Sequence, residues 1–157
     1  MLLKYLAVFL VSMVPLIELR GAIPIAVGMG IDPRHAIVVC AVGNLLPVPV
    51  IYFFARKFLI WGLDKPYIGG ICRFFHEKGE RAGAKLSSKA GKAGLMVALT
   101  LFVGIPVPGT GAWTGTLGAS FLNMGTKETA ISVSLGVALA AIIMTTVSMV
   151  GLHVFGL

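Results

Sequence analysis

The chain has 157 residues, of which 57% are hydrophobic and only 12% are charged. An ordinary soluble domain carries about 25% charged residues, so this composition excludes that class and predicts a protein of the lipid bilayer. The net charge of +7 does not indicate nucleic acid as a partner, because nine of the thirteen basic residues lie between Arg56 and Lys92, as in the cytoplasmic flank of a membrane protein.

The first predicted element is a pair of short apolar segments around a polar break. Tyr5 to Ile17 is uncharged but would reach only about 20 Å as a helix, against a hydrocarbon core of about 30 Å. Glu18-Leu19-Arg20-Gly21 interrupts it, and a second short stretch runs to Ile31. The pattern predicts a re-entrant hairpin over about residues 2–31. No small-residue cleavage site follows, so we expect the first segment to be retained rather than removed as a signal peptide.

The second predicted element is a membrane span over residues 36–55, which carry no charge. Twenty residues reach about 30 Å as a helix, enough to cross. Pro47 and Pro49 each remove a backbone donor, so a bend is expected. Asn44 lies inside the span and could bond either a neighbouring helix or a substrate.

The third predicted element is a basic cytoplasmic segment over residues 56–92. Asp64-Lys65-Pro66 is typical of a helix start. Ile68, Ile71, Cys72 and Phe75 then share one helical face, which predicts an amphipathic helix lying on the membrane surface. We expect Cys72, like Cys40, to be a packing residue, since neither has the spacing of a metal site.

The last predicted elements repeat the first two. Residues 93–126 carry no charge, but Gly104-Ile105-Pro106-Val107-Pro108-Gly109-Thr110-Gly111 cannot continue a helix. A second re-entrant hairpin is therefore predicted over about residues 93–122, and a second span over residues 130–154. One hairpin plus one span is an odd number of crossings, so two such units form an inverted repeat, as in secondary transporters. The fold class is thus an all-α integral membrane protein, with residues 1–157 forming a single domain.

Glu18 and Arg20 are the residues best suited to chemistry, because charges between apolar segments cost at least about 2.5 kcal/mol unless they are paired or hydrated. One interpretation places them at the headgroup level, where they only terminate a helix. The other places them at depth, where Arg20 offers donors to a phosphate or another anion and Glu18 carries a proton or acts as a counter-ion.

The rest of the candidate site follows from the two breaks. Helix N-termini near Gly21 and Gly111 would present backbone donors to an anion. The prolines and glycines of the second break allow the backbone to turn, and Trp113 could line a cavity or anchor at an interface. The chain has no catalytic arrangement, metal-ligand cluster or nucleotide loop, so we expect no enzyme activity, no metal and no cofactor.

Three motifs resemble the small multidrug-export family, a distant relative of the DedA superfamily of membrane transport proteins. They are Glu18-Leu19-Arg20-Gly21-Ala22-Ile23-Pro24, Gly43-Asn44-Leu45-Leu46-Pro47-Val48-Pro49, and the stretch from Pro106 to Gly115 that includes Trp113 and Thr114. The resemblance implies a prokaryotic inner-membrane protein with two facing hairpins. In DedA relatives an acidic residue and nearby arginines are associated with proton-linked transport or flipping of lipid phosphates. Glu18 and Arg20 match the first part of that pattern, whereas the second break lacks an arginine.

We therefore predict a transporter or flippase, coupled to protons, for an amphipathic anionic substrate such as a lipid phosphate. Two alternatives stay open: export of cationic hydrophobic compounds, and a non-transporting membrane scaffold or subunit. Two spans can hardly enclose a pathway, so a homodimer or larger assembly is expected, with membrane lipids as further partners. The predicted contacts of substrate or ion are Glu18, Arg20, Gly21, Pro24, Asn44, Pro106, Pro108, Gly109, Thr110, Gly111, Trp113 and Thr114.

Overall fold

Helices are the only regular secondary structure in the described part of the chain, and turns or short loops join them. A computed structural model describes residues 1–107 and 109–155, apart from the side chains at positions 86, 87, 152 and 155. Within those ranges there is no strand, which confirms the all-α class. The helices are α1 (Leu2–Met13), α2 (Glu18–Gly28), α3 (Pro33–Leu45), α4 (Pro47–Gly62), α5 (Gly69–Gly104), α6 (Ala112–Phe121) and α7 (Thr126–Phe155).

Two stretches are long and apolar enough to cross a membrane. One is Pro33–Gly62, which joins α3 and α4 over 30 residues, and the other is Thr126–Gly151 of α7, with 26 residues. A third crossing is possible if the two halves of α5 count as one span. The first stretch extends beyond residue 55, where the span was predicted to end and the basic segment to begin. Arg56 and Lys57 are part of helix α4 and lie on its exposed side. The re-entrant path of the hairpins and the inverted orientation stay predictions.

The first break lies earlier than predicted, at residues 14–17. Val14 is extended, with ψ 129°, because a residue before proline is pushed out of the helical region. Leu16 follows at φ +75° and Glu18 at φ +49°, in the left-handed region. Proline rather than the charged residues therefore ends α1. The prediction that Glu18-Leu19-Arg20-Gly21 forms the break is wrong, since these residues are the first turn of α2.

The corner after α2 ends that helix and starts α3 within four residues, 29–32. Gly30 turns the chain at φ +76°. The Asp32 carboxylate then accepts a hydrogen bond of 2.8 Å from the Arg34 N–H, and Pro33 occupies the first turn of α3. An acidic cap followed by proline fits a helix N-terminus, because the cap satisfies a free donor and proline has none to satisfy.

The core is built from small side chains around α2, which packs against α1, α3 and α7. Leu19 and Ile23 are its largest fully buried members, and alanines of α2, α3, α6 and α7 surround them. Small residues let membrane helices approach closely, so that van der Waals contact replaces the hydrophobic driving force that lipid does not supply. Cys40 and Cys72 are both free and buried, which confirms their packing role.

Helix α5 bends by 105° between Gly69–Lys85 and Ser88–Gly104. Its first part covers the predicted amphipathic helix, whose position on the membrane surface stays a prediction. Cys72 is buried, whereas Ile71 and Phe75 are exposed. Gly79 lies on the packed face, since a Cβ there would overlap the Phe121 carbonyl at the end of α6.

We expect Gly79→Ala to destabilise the protein by about 1–3 kcal/mol, the usual cost of overpacking. The added methyl group meets the Phe121 backbone, which is not a flexible side chain, so helix α5 must move away from α6. Gly70→Ala is the matched control, because a Cβ there meets nothing within 4 Å and alanine favours the helix. The measurement is thermal unfolding in detergent, and equal melting temperatures for the two variants would contradict the close contact.

Candidate functional site

Glu18 and Arg20 both reach across to the second break. The two residues start α2, and side chains two positions apart on a helix do not face each other. Their side chains point to different helix ends at the second break. Arg20 reaches the last turn of α5, and Glu18 reaches the first turn of α6.

The Glu18 carboxylate caps the N-terminus of α6. Its Oε2 accepts from the Ala112 N–H at 3.2 Å, and its Oε1 accepts from the Trp113 N–H at 3.0 Å. Glu18 is 5% exposed and Ala112 is fully buried. The first N–H groups of a helix lack partners and carry about half a positive charge, so this position stabilises an anion.

Gly111 makes that contact possible. It has φ 150° and ψ −173°, a backbone region that is essentially restricted to glycine. A Cβ at this position would overlap the Glu18 carboxylate. Glycine therefore serves twice, by allowing the turn into α6 and by leaving room for the carboxylate.

The Arg20 guanidinium binds the opposite helix end. Its Nη2 donates to the carbonyls of Val103 at 3.1 Å and Ile105 at 3.0 Å, and its Nη1 donates to the carbonyl of Val107. The last carbonyls of a helix carry about half a negative charge, which favours a cation there. Glu18 and Arg20 are thus each compensated by a helix terminus at the second break.

Trp113 makes a hydrogen bond from the second break back to the first. Its indole Nε1–H donates, at 3.1 Å, to the carbonyl of Met13, which is the last residue of α1. Each hairpin therefore donates hydrogen bonds to the end of the other hairpin's first helix. We call Glu18, Arg20, Gly111 and Trp113, together with the backbone groups they bind, the clasp.

A cavity of about 460 Å³ lies beside the clasp. Its lining includes Glu18, Arg20, Gly21, Pro106, Gly109, Thr110, Trp113 and Thr114 from the predicted site, together with Pro15, Leu16, Ile17, Val107, Leu117 and Met144, which sequence reasoning missed. We call it the central cavity. Arg20 is half-buried at its wall, whereas Glu18 is almost fully buried behind it.

Three of the described residues predicted for the site, Pro24, Asn44 and Gly111, do not line the central cavity. Pro24 is exposed on α2, and Asn44 is buried in α3, where its Oδ1 has no hydrogen-bond partner among the described residues. Pro108 lies outside the described residues. The missed lining residues had little signal in the sequence, because apolar side chains such as Leu117 and Met144 are common throughout this chain.

Comparison with known proteins gives one family match. A family model described as "Putative small multi-drug export protein" matches residues 18–143, which include the second break and every residue of the clasp except Met13 but not the first break at residues 14–17. No curated protein and no solved structure matches the chain. The range matched by the family model begins at Glu18, the first residue of α2.

Proposed function

The chain belongs to the family of small multi-drug export proteins, and from that premise we propose a membrane transporter that moves an amphipathic molecule with an acidic head group, such as a lipid phosphate. The observation that carries the proposal is the position of Arg20. It places a half-buried cation at the wall of the central cavity, between two broken helix pairs.

The more accessible of the two charges in the central cavity is that of Arg20. Glu18 and Arg20 both line the cavity, but Glu18 is 5% exposed and is engaged by the N-terminus of α6, whereas Arg20 is half-buried. A guanidinium has five N–H donors in a planar fork that matches phosphate or carboxylate oxygens. Described carbonyls accept three hydrogen bonds from Arg20, and a phosphate could add to these or replace them.

Coupling to protons would act through Glu18. The carboxylate accepts two backbone hydrogen bonds, and a protonated carboxyl group loses part of that acceptor capacity and its attraction to the helix terminus. Proton binding and the contact between the two hairpins are therefore linked. This supports a cycle in which a proton loosens the clasp and the central cavity changes its access. The prokaryotic plasma membrane and the homodimer stay predictions.

The test is flipping of NBD-labelled phosphatidic acid in proteoliposomes, followed by dithionite quenching. We expect Arg20→Lys to slow flipping by about tenfold or more, because hydrogen bonds to charged groups contribute about 1.5–3 kcal/mol and lysine has no fork. We expect Glu18→Gln to abolish the dependence on an imposed pH gradient. Arg34→Lys is the matched control, since Arg34 is exposed at the start of α3.

Three outcomes would contradict the proposal. They are wild-type flipping no faster than in empty liposomes, Arg20→Lys equal to Arg34→Lys, and a pH-gradient dependence that survives Glu18→Gln. Melting temperatures of all variants separate loss of function from loss of fold.

A second candidate is export of hydrophobic cations; the words of the family description favour export of drugs and do not name their charge. Glu18 would then be the counter-ion. Ethidium efflux that requires Glu18 but not Arg20 would support this candidate and contradict the lipid phosphate. Transport of neither probe would favour a scaffold or subunit instead.

A further inference from the structure

A narrow apolar slot separates the second part of α5 from α6. It encloses about 230 Å³, and its walls include Leu95, Leu99 and Phe102 on α5 and Gly115 and Gly118 on α6. An apolar cavity of about 150 Å³ is large enough to hold benzene. The slot therefore has room for an aromatic ring or a short hydrocarbon segment.

Gly118 keeps the slot open. A Cβ at Gly118 would meet nothing within 4 Å, whereas a Cβ at Gly115, one turn earlier, would overlap a methyl group of Val103. Close packing thus accounts for Gly115 but not for Gly118. A glycine inside a helix costs about 1 kcal/mol relative to alanine, and at position 118 no protein neighbour explains that cost.

The slot adjoins two larger cavities. Thr114 lines both the slot and the central cavity. At its other end Leu95, Leu122 and Met124 also line a cavity of about 460 Å³ that includes Lys92, in the predicted cytoplasmic segment. The three cavities therefore follow one another along α6, from Lys92 to Arg20.

We propose that the slot holds the hydrocarbon portion of the substrate whose acidic head binds Arg20, and that Gly118 determines how large that portion can be. This inference rests on the proposed function. The charge of Arg20 and the apolar walls of the adjoining slot together fit one amphipathic anion, with its head in the central cavity and its chain between α5 and α6.

The test is photo-crosslinking with a phosphatidic acid that carries a diazirine in one acyl chain, with the full chain in nanodiscs and adducts mapped by mass spectrometry. We expect adducts on residues 95–102 and 114–122. Gly118→Leu should reduce their yield by about tenfold, since each excluded methylene costs about 0.8 kcal/mol and two are displaced. Gly28→Leu is the matched control, because a Cβ there also meets nothing within 4 Å and Gly28 lies outside all three cavities.

Adducts confined to the exposed face of α4, such as Phe53 and Phe54, would overturn the inference, as would equal yields for Gly118→Leu and Gly28→Leu. If Gly118→Leu does not fold, Ala98→Leu fills the slot from the α5 side and must give the same loss. Crosslinking does not require transport, so the two proposals can fail separately. If the wild type flips lipid and Gly118→Leu flips it equally fast, the proposed role of the slot is contradicted but the proposed transport is not. If adducts form in the slot but the wild type does not flip lipid, the proposed transport is contradicted but the slot is not.

Discussion

Replacement of Glu18 by alanine is expected to lower the free energy of unfolding by about 3 kcal/mol or more. Each hydrogen bond to a charged group contributes about 1.5–3 kcal/mol, and the carboxylate accepts two from the first turn of α6. The buried N–H of Ala112 and the half-buried N–H of Trp113 would both lose their partner. Reversible unfolding in mixed micelles, followed by circular dichroism, measures the change.

Glu77→Ala is the matched control for that substitution. Glu77 is likewise a helical glutamate with a partner, but its contact to Arg81 is exposed and lies within one helix, where such pairs contribute less than about 0.5 kcal/mol. Glu18→Gln should fall between the two, since an amide oxygen can still accept one of the bonds. If Glu18→Ala and Glu77→Ala cost the same, Glu18 does not hold the hairpins together.

The general architecture could be predicted from the sequence because it depends on local signals. Apolar runs, the proline and glycine breaks and the Asp32-Pro33 cap each act on neighbouring residues, and the structure confirms the helical membrane class. The predicted position of the first break was wrong because both a charged pair and Pro15 were available to end α1. The backbone restriction imposed by proline decided the position.

The partners of the candidate site could not be predicted. Arg20 binds backbone carbonyls more than eighty residues away, and a carbonyl has no signature in the sequence. The sequence does show that charges between apolar segments need compensation. Only the fold shows that helix termini provide it. The role of a glycine is equally hard to predict from the sequence. Gly115 lies in a close helix contact and Gly118 borders an open slot, but the sequence shows only a glycine at both positions.

Of all substitutions that add a single methyl group to the chain, Gly111→Ala is expected to destabilise the protein most. Its backbone conformation costs a non-glycine residue about 1–3 kcal/mol, and the new Cβ would push the Glu18 carboxylate away from α6. The substitution should therefore destabilise by at least as much as Glu18→Ala, whereas Gly28→Ala, whose Cβ meets open space, should be neutral or stabilising. Unfolding free energies measured under the same conditions give the comparison.

The double variant Glu18→Ala/Gly111→Ala separates the two causes. Without the carboxylate the methyl group has nothing to displace, so only the backbone cost of about 1–3 kcal/mol remains and the two substitutions are less than additive. Full additivity would contradict the contact between Gly111 and Glu18. Because Glu18 also lines the central cavity, less-than-additive losses would mean that the contact between Glu18 and Gly111 both stabilises the fold and lies where the clasp is proposed to loosen during transport.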